Sequence, residues 1–328
     1  MNIVKSCERL RTDPALLQTD RFFETMGYLY LFLALTAGLI KAYCGKKSSA
    51  AANCSYNAII INIARMFLCV IIGALFVLMR GASSFAFTTP KVILIALLGG
   101  IGTSLFTVCW LLAVHTNAYM IIEVFVMGGV VIPLTLCIIL YKEPIGILQI
   151  AGILLLLIAV YYMCTSRKKG KIALSFRSFL LLLLCAVSSG ISDFSQKLYV
   201  KEIKNVDISV FNFYMYLIAA TVLFIIYLFF RSKQKNLNKT KTTSTIINPI
   251  FPYIVIMAVC LFLNSYFKTN SAKYIDAVLL YPLNQCCAVV LSLAMSIAVF
   301  KEKTTARGII GITLSVISII LINLPVPA

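Results

Sequence analysis

The sequence predicts an all-α integral membrane protein whose ten transmembrane helices form two inverted five-helix repeats. Three observations predict this fold: an apolar composition, apolar runs of membrane-spanning length, and an internal repeat. Of the 328 residues, 61% are hydrophobic and 12% are charged, and the mean hydropathy is +0.98. Soluble domains carry about 25% charged residues. The composition therefore excludes a soluble globular enzyme, a disordered protein and a nucleic-acid-binding module.

The net charge of +18 is a property of the polar loops. Residues 1–25 are balanced in charge, so the basic excess lies in the rest of the chain, mostly in short breaks between apolar runs. Lys and Arg in such breaks lie at the level of the lipid headgroups. They are divided about evenly between the two sides, so the positive-inside rule does not assign an orientation.

Ten apolar runs of spanning length are separated by short polar breaks. Each run is predicted to be helical, because a backbone exposed to lipid must satisfy its own hydrogen bonds. The predicted spans, in order, are Gly27–Cys44, Ala58–Met79, Lys91–Ala113, Ala118–Leu140, Ile147–Cys164, Ser178–Lys197, Val210–Phe230, Pro249–Phe267, Asp276–Val299 and Arg307–Leu324.

An internal repeat relates the two halves of the chain. Residues 113–158 align without gaps on residues 272–317, at an offset of 159 residues, and the Lys-Glu pair before the fifth and tenth spans recurs. Each copy contains five helices, and an odd number requires the second copy to enter the membrane from the opposite side. Inverted repeats are typical of secondary transporters, which bind their substrate near the midplane and move it by alternating access.

The repeated residues resemble the EamA-type module of the drug/metabolite transporter superfamily. In the first copy they are Ala113 to Ala118, Pro133, Lys142-Glu143-Pro144 and Gly152; in the second they are Ala272 to Asn284, Phe300-Lys301-Glu302 and Gly311. Arg65 lies where such modules often carry an arginine. The resemblance implies a two-module carrier with both termini cytoplasmic, whose substrate is a small polar or amphipathic metabolite such as an amino acid, an amine or a drug-like compound. It also implies a central cavity formed largely by spans 1, 3, 4, 6, 8 and 9.

The expected organisation follows from these boundaries. Residues 1–25 form a polar segment outside the fold, 26–165 the first repeat, 166–177 a basic linker and 178–328 the second repeat. The expected partners are a small-molecule substrate and the lipid bilayer, with no nucleic acid and no cofactor. A homodimer is left open, and the cell membrane is the expected location.

Two carboxylates lie within apolar runs and are candidate substrate-binding residues. A charged group inside the membrane costs about 2.5–3.5 kcal/mol on insertion scales, so each one is a functional hypothesis. Burial would favour the neutral form of Glu123 in span 4, which would let it bind a proton or a cationic substrate alternately. Asp193 in span 6 shares a helical face with Gln196 and Lys197, so either a substrate contact or a structural Asp193–Lys197 pair is expected.

Further candidates are polar or aromatic residues on the spans that the resemblance places around the cavity. Tyr281, Asn284 and Gln285 share one face of span 9, where Pro282 would weaken the helix and free backbone carbonyls. Trp110 in span 3 and Asn264 in span 8 are weaker candidates. Residues expected to act in structure or gating are Arg65, Lys142, Glu143, Lys301 and Glu302.

Other classes of membrane protein fit the sequence less well. An intramembrane enzyme would need acid–base groups, yet the chain has one histidine and no hydrolase or metal motif. The protein is therefore expected not to be an enzyme. An uncoupled facilitator or exchanger of lipids or metabolites with the same fold is the alternative to a proton-coupled carrier.

Overall fold

A computed structural model describes residues 14–49, 55–81, 88–116, 119–142, 145–165, 176–233, 250–299, 301 and 306–323. All regular secondary structure in these ranges is helical, as predicted. Its α-helices, in order, are α1 (Pro14–Ser48), α2 (Ser55–Arg80), α3 (Pro90–Thr116), α4 (Tyr119–Gly128), α5 (Val131–Tyr141), α6 (Ile147–Thr165), α7 (Phe176–Glu202), α8 (Ile208–Lys233), α9 (Phe251–Ser271), α10 (Ala277–Ala298) and α11 (Ala306–Asn323).

Six of the described helices, α1 to α3 and α7 to α9, are long and apolar enough to cross a membrane. The remaining apolar helices are shorter over the residues searched. The chain is thus an integral, multi-pass membrane protein. That all ten apolar runs cross the membrane remains a prediction from the sequence.

Local sequence signals explain several helix ends. Pro90 is the first residue of α3, where its missing N–H costs nothing because the first turn of a helix has no acceptor for it. Gly81 follows α2 with φ of 106°, and its N–H donates to the carbonyl of Leu78. Glycine adopts this left-handed conformation without a steric penalty, so it ends the helix.

The fourth predicted span is two helices rather than one. A turn at Gly129 and Val130 separates α4 from α5. Pro133 has no N–H to donate to the carbonyl of Gly129, so a continuous helix would lose a bond there. Helix α10 continues through Pro282, so that proline does not divide its span into two helices.

The two halves have the same pattern of helix contacts. Helix α1 of the first half contacts α9 of the second, and the equivalent helices α7 and α3 also contact each other. Likewise α3 contacts α8, and their equivalents α9 and α2 contact each other. The pairs α6·α11 and α2·α8 each join equivalent helices. A hydrogen bond of 2.6 Å from the Ser318 hydroxyl to the carbonyl of Gly152 links α11 to α6.

Backbone conformation repeats at the same offset of 159 residues. Lys142 has φ of 50° and Lys301 has φ of 51°, and they are the two non-glycine residues with positive φ in the described part of the chain. Such values are uncommon for residues with a Cβ. The two aligned lysines therefore occupy equivalent places, each just after a helix of its own half.

Candidate functional site

A cavity of about 120 Å³ lies inside the bundle between the two halves. A water molecule needs on the order of 10–15 Å³ of such volume, so the cavity holds several waters or one small solute. Its walls come from α1, α3 and α4 of the first half and from α7, α8, α9 and α10 of the second. The spans that the resemblance places around a cavity all contribute, and α8 contributes in addition.

Helical spacing explains why particular side chains meet in the cavity. Residues three or four apart lie on the same face of a helix. On α7, Ser189, Asp193 and Gln196 follow this spacing; on α3, Phe106 and Trp110 do so.

The cavity brings together most of the binding residues predicted from the sequence. Tyr281 lies outside the lining, but its hydroxyl donates to the carbonyl of Asp193 at 2.7 Å. The backbone of Glu123 belongs to α4, three residues before the cavity-lining Val126, and its side chain lies outside the described residues. The predicted residues that line the cavity are Trp110, Asp193, Gln196, Asn264, Asn284 and Gln285.

Asp193 forms its ion pair with Lys268 of α9. The side chains are 5% and 11% exposed, and both border the cavity. Lys197, the partner considered in the sequence analysis, instead donates from Nζ to the carbonyls of Ala272 at 3.0 Å and Ile275 at 2.8 Å. The charge pair at the cavity wall therefore links two helices of the second half.

The side-chain amide of Gln196 has a hydrogen-bond partner at its nitrogen but none at its oxygen within the described part of the chain. Its Nε2 donates to the Ser265 hydroxyl at 3.2 Å, and that hydroxyl donates to Oδ1 of Asn212 at 2.8 Å. Oε1 of Gln196 is buried and has no hydrogen-bond partner among the described residues. Since a buried acceptor without a partner is unfavourable, this oxygen is suited to accept a hydrogen bond from a bound ligand.

Other amides line the same cavity. Asn284 and Gln285 are buried neighbours on α10. Asn264 instead donates to the carbonyl of Ala34 at 2.6 Å, which ties α9 to α1. Asn264 thus has a structural bond as well as a place in the lining.

The first half lines the cavity chiefly with apolar side chains. Trp110 is 5% exposed, and its indole lies against Gly45 of α1, where an added Cβ would be 2.6 Å from the ring. The wide ring fits because residue 45 has no side chain. The apolar residues of this wall are Leu35, Leu39, Ala42, Phe106, Trp110 and Val126.

Arg65 is 2% exposed and lies outside the cavity lining. Its Nε has no hydrogen-bond partner in the described part of the chain. It lies near Cys69 of its own helix and Tyr216 of α8. Tyr216 borders the cavity, and its hydroxyl donates to the carbonyl of Leu261 at 3.1 Å.

The residues predicted for gating are only partly described. Lys142 and Lys301 are exposed at equivalent places, whereas Glu143 and Glu302 lie outside the described residues. Interhelical ion pairs are found elsewhere, in a layer at one end of the bundle that we term the ion-pair layer. Its pairs are Arg80–Asp207 at 3.3 Å, Lys91–Glu202 at 2.5 Å and Lys201–Asp276 at 3.8 Å.

Lys41, Tyr216 and Lys268 are among the cavity residues that were not singled out from the sequence. Lys268 lies near the polar end of α9, where the sequence alone suggests a lysine at the membrane–water interface. Its position four residues after Asn264 was the available signal, because that spacing puts both on one helical face. Tyr216 belongs to a span that the resemblance does not place at the cavity.

Within the described ranges, no cluster of His, Cys, Asp or Glu is suited to hold a metal ion. Residues 176–324 match the model of the EamA-like transporter family. The resemblance seen in the sequence is confirmed over this second five-helix unit, and the match indicates a membrane transporter.

A crystal structure described only as "Crystal structure of protein" has a similar fold, with a TM-score of 0.66. The two sequences are 15% identical, and the similarity covers 91% of this chain and 96% of that one. At this identity the similarity establishes the fold alone. No curated protein matches the sequence.

Proposed function

We propose that this chain, whose residues 176–324 match the EamA-like transporter family, is a secondary-active transporter of a small polar or amphipathic metabolite. The observation that carries the proposal is the cavity at the interface of two similar halves. Such an interface is where transporters built from repeats bind their substrates. The expected location is the cell membrane.

Alternating access through two inverted repeats is the proposed mechanism. The shared contact pattern of the halves and the equivalent backbone at Lys142 and Lys301 support it. If the halves are inverted repeats, the first half can adopt the conformation of the second while the second adopts that of the first. The cavity then opens to the other side of the membrane without any change in the helices' own structure.

The ion-pair layer is proposed to close one end of the cavity. Arg80 and Lys91 belong to the first half, and their partners Asp207 and Glu202 belong to the second. The hydroxyl of Tyr141 also donates to Glu202 at 3.3 Å. Exposed pairs of this kind contribute about 0–1 kcal/mol each, which is weak enough for them to break and reform as the halves move.

Proton coupling through Glu123 is proposed as the source of energy. Its backbone lies one helical turn before the cavity-lining Val126, inside an apolar helix. A carboxyl group there would alternate between a protonated and a charged form as substrate enters and leaves. An uncoupled exchanger of the same fold would lack this dependence.

Counterflow in proteoliposomes tests the proposed function. Vesicles containing purified protein are loaded with a mixture of unlabelled small metabolites, and uptake of labelled members of the mixture is measured from outside. A carrier gives saturable uptake that internal substrate accelerates. Flux that stays proportional to concentration, or no protein-dependent uptake of any member, contradicts the proposal.

The coupling is tested separately by Glu123→Gln. With an imposed pH gradient, the substitution is expected to abolish gradient-driven accumulation and to retain exchange. Glu24 of α1, which precedes the candidate span Thr25–Ser48, supplies the control variant Glu24→Gln, which also removes one carboxylate. Unchanged accumulation in Glu123→Gln would show that coupling does not use this residue.

A further inference from the structure

The two ends of the helix bundle differ in charge. At the end that holds the ion-pair layer, where α2 ends and α3 begins, the segments outside the spans contain ten Lys or Arg residues and eight Asp or Glu residues. At the other end, where α1 ends and α7 begins, they contain fifteen Lys or Arg residues and one acidic residue, Glu302. We term this second end the basic end. Its fifteen cations fall within residues 46–47, 167–177, 231–241 and 301–307.

Two lysines that the sequence alone would assign to the end with the ion-pair layer lie inside the bundle. Lys197 donates to the carbonyls of Ala272 and Ile275, and Lys268 pairs with Asp193. Both lysines are buried, so neither can reach a lipid headgroup. The cations that remain outside the bundle interior are therefore more numerous at the basic end.

Carboxylates already neutralise part of the positive charge at the end with the ion-pair layer. The three pairs of the layer use three of the six cations that this end has after residue 25. Residues 1–25 add no net charge, because their basic and acidic residues are equal in number. The small net charge of this end gives it little attraction for an anionic surface.

Cations of the basic end are exposed at the ends of helices. Lys47 lies in the last turn of α1, and Arg177 is the second residue of α7. Arg231 lies near the end of α8, and Lys301 follows α10. All four residues are exposed. The ends of membrane-spanning helices lie at the level of the lipid headgroups, where long basic side chains extend into the polar layer.

Helix stability does not explain the position of Arg177. The N-terminus of a helix carries a partial positive charge, so a cation in the first turn is unfavourable. Arg177 lies in the first turn of α7, and that turn contains no acidic residue. The surroundings of this helix end must therefore supply negative charge. At the depth of a helix end, a lipid phosphate supplies it.

We propose that the basic end binds anionic lipid headgroups of the cytoplasmic leaflet, so that the ion-pair layer faces the opposite side of the membrane. The cytoplasmic leaflet carries the anionic lipids, and loops rich in Lys and Arg are retained on that side during insertion. This orientation is the reverse of the one that the family resemblance implies. It does not depend on the proposed transport function.

Cysteine labelling in intact cells tests the orientation. Arg177→Cys and Lys204→Cys each replace one exposed cation by a thiol, at the start of α7 and just after its end. Because α7 is long and apolar enough to cross the membrane, the two thiols lie on opposite sides. A membrane-impermeant maleimide is expected to label Lys204→Cys in intact cells above the wild-type level. Arg177→Cys is expected to be labelled only after the cells are permeabilised.

Labelling of both variants in permeabilised cells is the control for access to each thiol. Labelling of Arg177→Cys in intact cells overturns the orientation, and so does protection of Lys204→Cys there. Labelling of both in intact cells also overturns it, because a chain that inserts in both directions gives this result.

Thermal unfolding in lipid nanodiscs tests the binding of anionic lipid. Phosphatidylglycerol added to phosphatidylcholine is expected to raise the melting temperature of the wild type by about 2 °C or more, because a ligand of the folded state stabilises it. High salt should reduce this rise, since it screens exposed charges.

Two triple variants locate the binding of anionic lipid. Substitution of Lys47, Arg177 and Arg231 by Gln is expected to reduce the rise in melting temperature. Substitution of Lys142, Lys204 and Lys273 by Gln removes the same charge from exposed positions at the other end and should leave the rise unchanged. No rise in the wild type, or an equal loss in the two triple variants, overturns the proposed lipid surface.

Discussion

The first and second halves of the molecule share one helix arrangement but contribute different chemistry to the cavity between them. The first half supplies mainly apolar side chains, such as Phe106 and Trp110, and the second supplies Asp193, Gln196 and Lys268. The repeat therefore explains where the cavity lies, and divergence of the two copies explains its chemistry. A cavity with one polar and one mainly apolar wall is suited to the amphipathic solute that we propose as substrate.

The largest effect on stability is expected in the polar wall of the second half, from removal of one member of the Asp193–Lys268 pair. Asp193→Asn leaves Lys268 buried without a partner and should destabilise the fold by about 3–5 kcal/mol, as should Lys268→Met. Thermal denaturation in detergent measures the loss. The melting temperature of the double variant Asp193→Asn with Lys268→Met should be closer to that of the wild type than that of either single variant. The exposed pair Lys201–Asp276 supplies the control variant Lys201→Met. Additive effects of the two substitutions would contradict a tight pair.

The next effect concerns the apolar wall. Trp110→Ala removes a buried indole and should cost about 3 kcal/mol, the lower end of the range for core aromatics, because one side of the ring borders the cavity. It should also raise the half-saturating concentration for amphipathic substrates more than for purely polar ones. Transport kinetics with an amphipathic and a purely polar member of the metabolite mixture check this. An equal change for both would show that the ring does not contact the substrate.

A smaller effect is expected where the two halves meet at the break between α4 and α5. A Cβ on Gly129 would lie 2.2 Å from the carbonyl oxygen of Ala186, so Gly129→Ala should push α7 away and cost about 1–3 kcal/mol. The neighbouring variant Gly128→Ala is the matched control, since nothing lies within 4 Å of an added Cβ there. Equal melting temperatures for the two variants would contradict this close contact.

The smallest effect on stability is expected at the ion-pair layer. Arg80→Gln and Lys91→Gln each remove one exposed pair between the halves and should cost less than about 1 kcal/mol. Their effect should appear in transport rates, because the equilibrium between conformations shifts when one end closes less firmly. Initial rates of counterflow at low and high salt measure it. A rate unchanged by the double variant would remove this layer from the proposed mechanism.

The helical fold and much of the cavity could be predicted from the sequence because membranes impose strict rules on backbone and charge. Long apolar runs must be helical, and polar residues inside them must face protein rather than lipid. These two rules predict Asp193, Gln196, Asn284 and Gln285 as candidate cavity residues. Each rule can be applied to one helix at a time, without knowing which helices pack against it.

What could not be predicted depends on contacts between distant helices. The partner of Asp193 is 75 residues away on α9, and nothing in the local sequence prefers Lys268 to Lys197. The break in span 4 arises at Gly129 beside Ala186, whereas the proline in α10 leaves that helix continuous. A proline changes the hydrogen bonds that a helix can make, and packing against the neighbouring helices decides whether the helix breaks.

Blocking the cavity at Ser192 tests most directly whether transport passes between the two halves. Ser192 lines the cavity, and its hydroxyl lies 2.9 Å from that of Thr103 in the first half. Counterflow by Ser192→Cys is measured before and after reaction with a charged methanethiosulfonate, with treated wild-type protein as the control and mass spectrometry to confirm labelling. The account predicts that labelling abolishes counterflow in the variant and that added substrate slows the labelling. Full labelling at residue 192 with undiminished counterflow would contradict it.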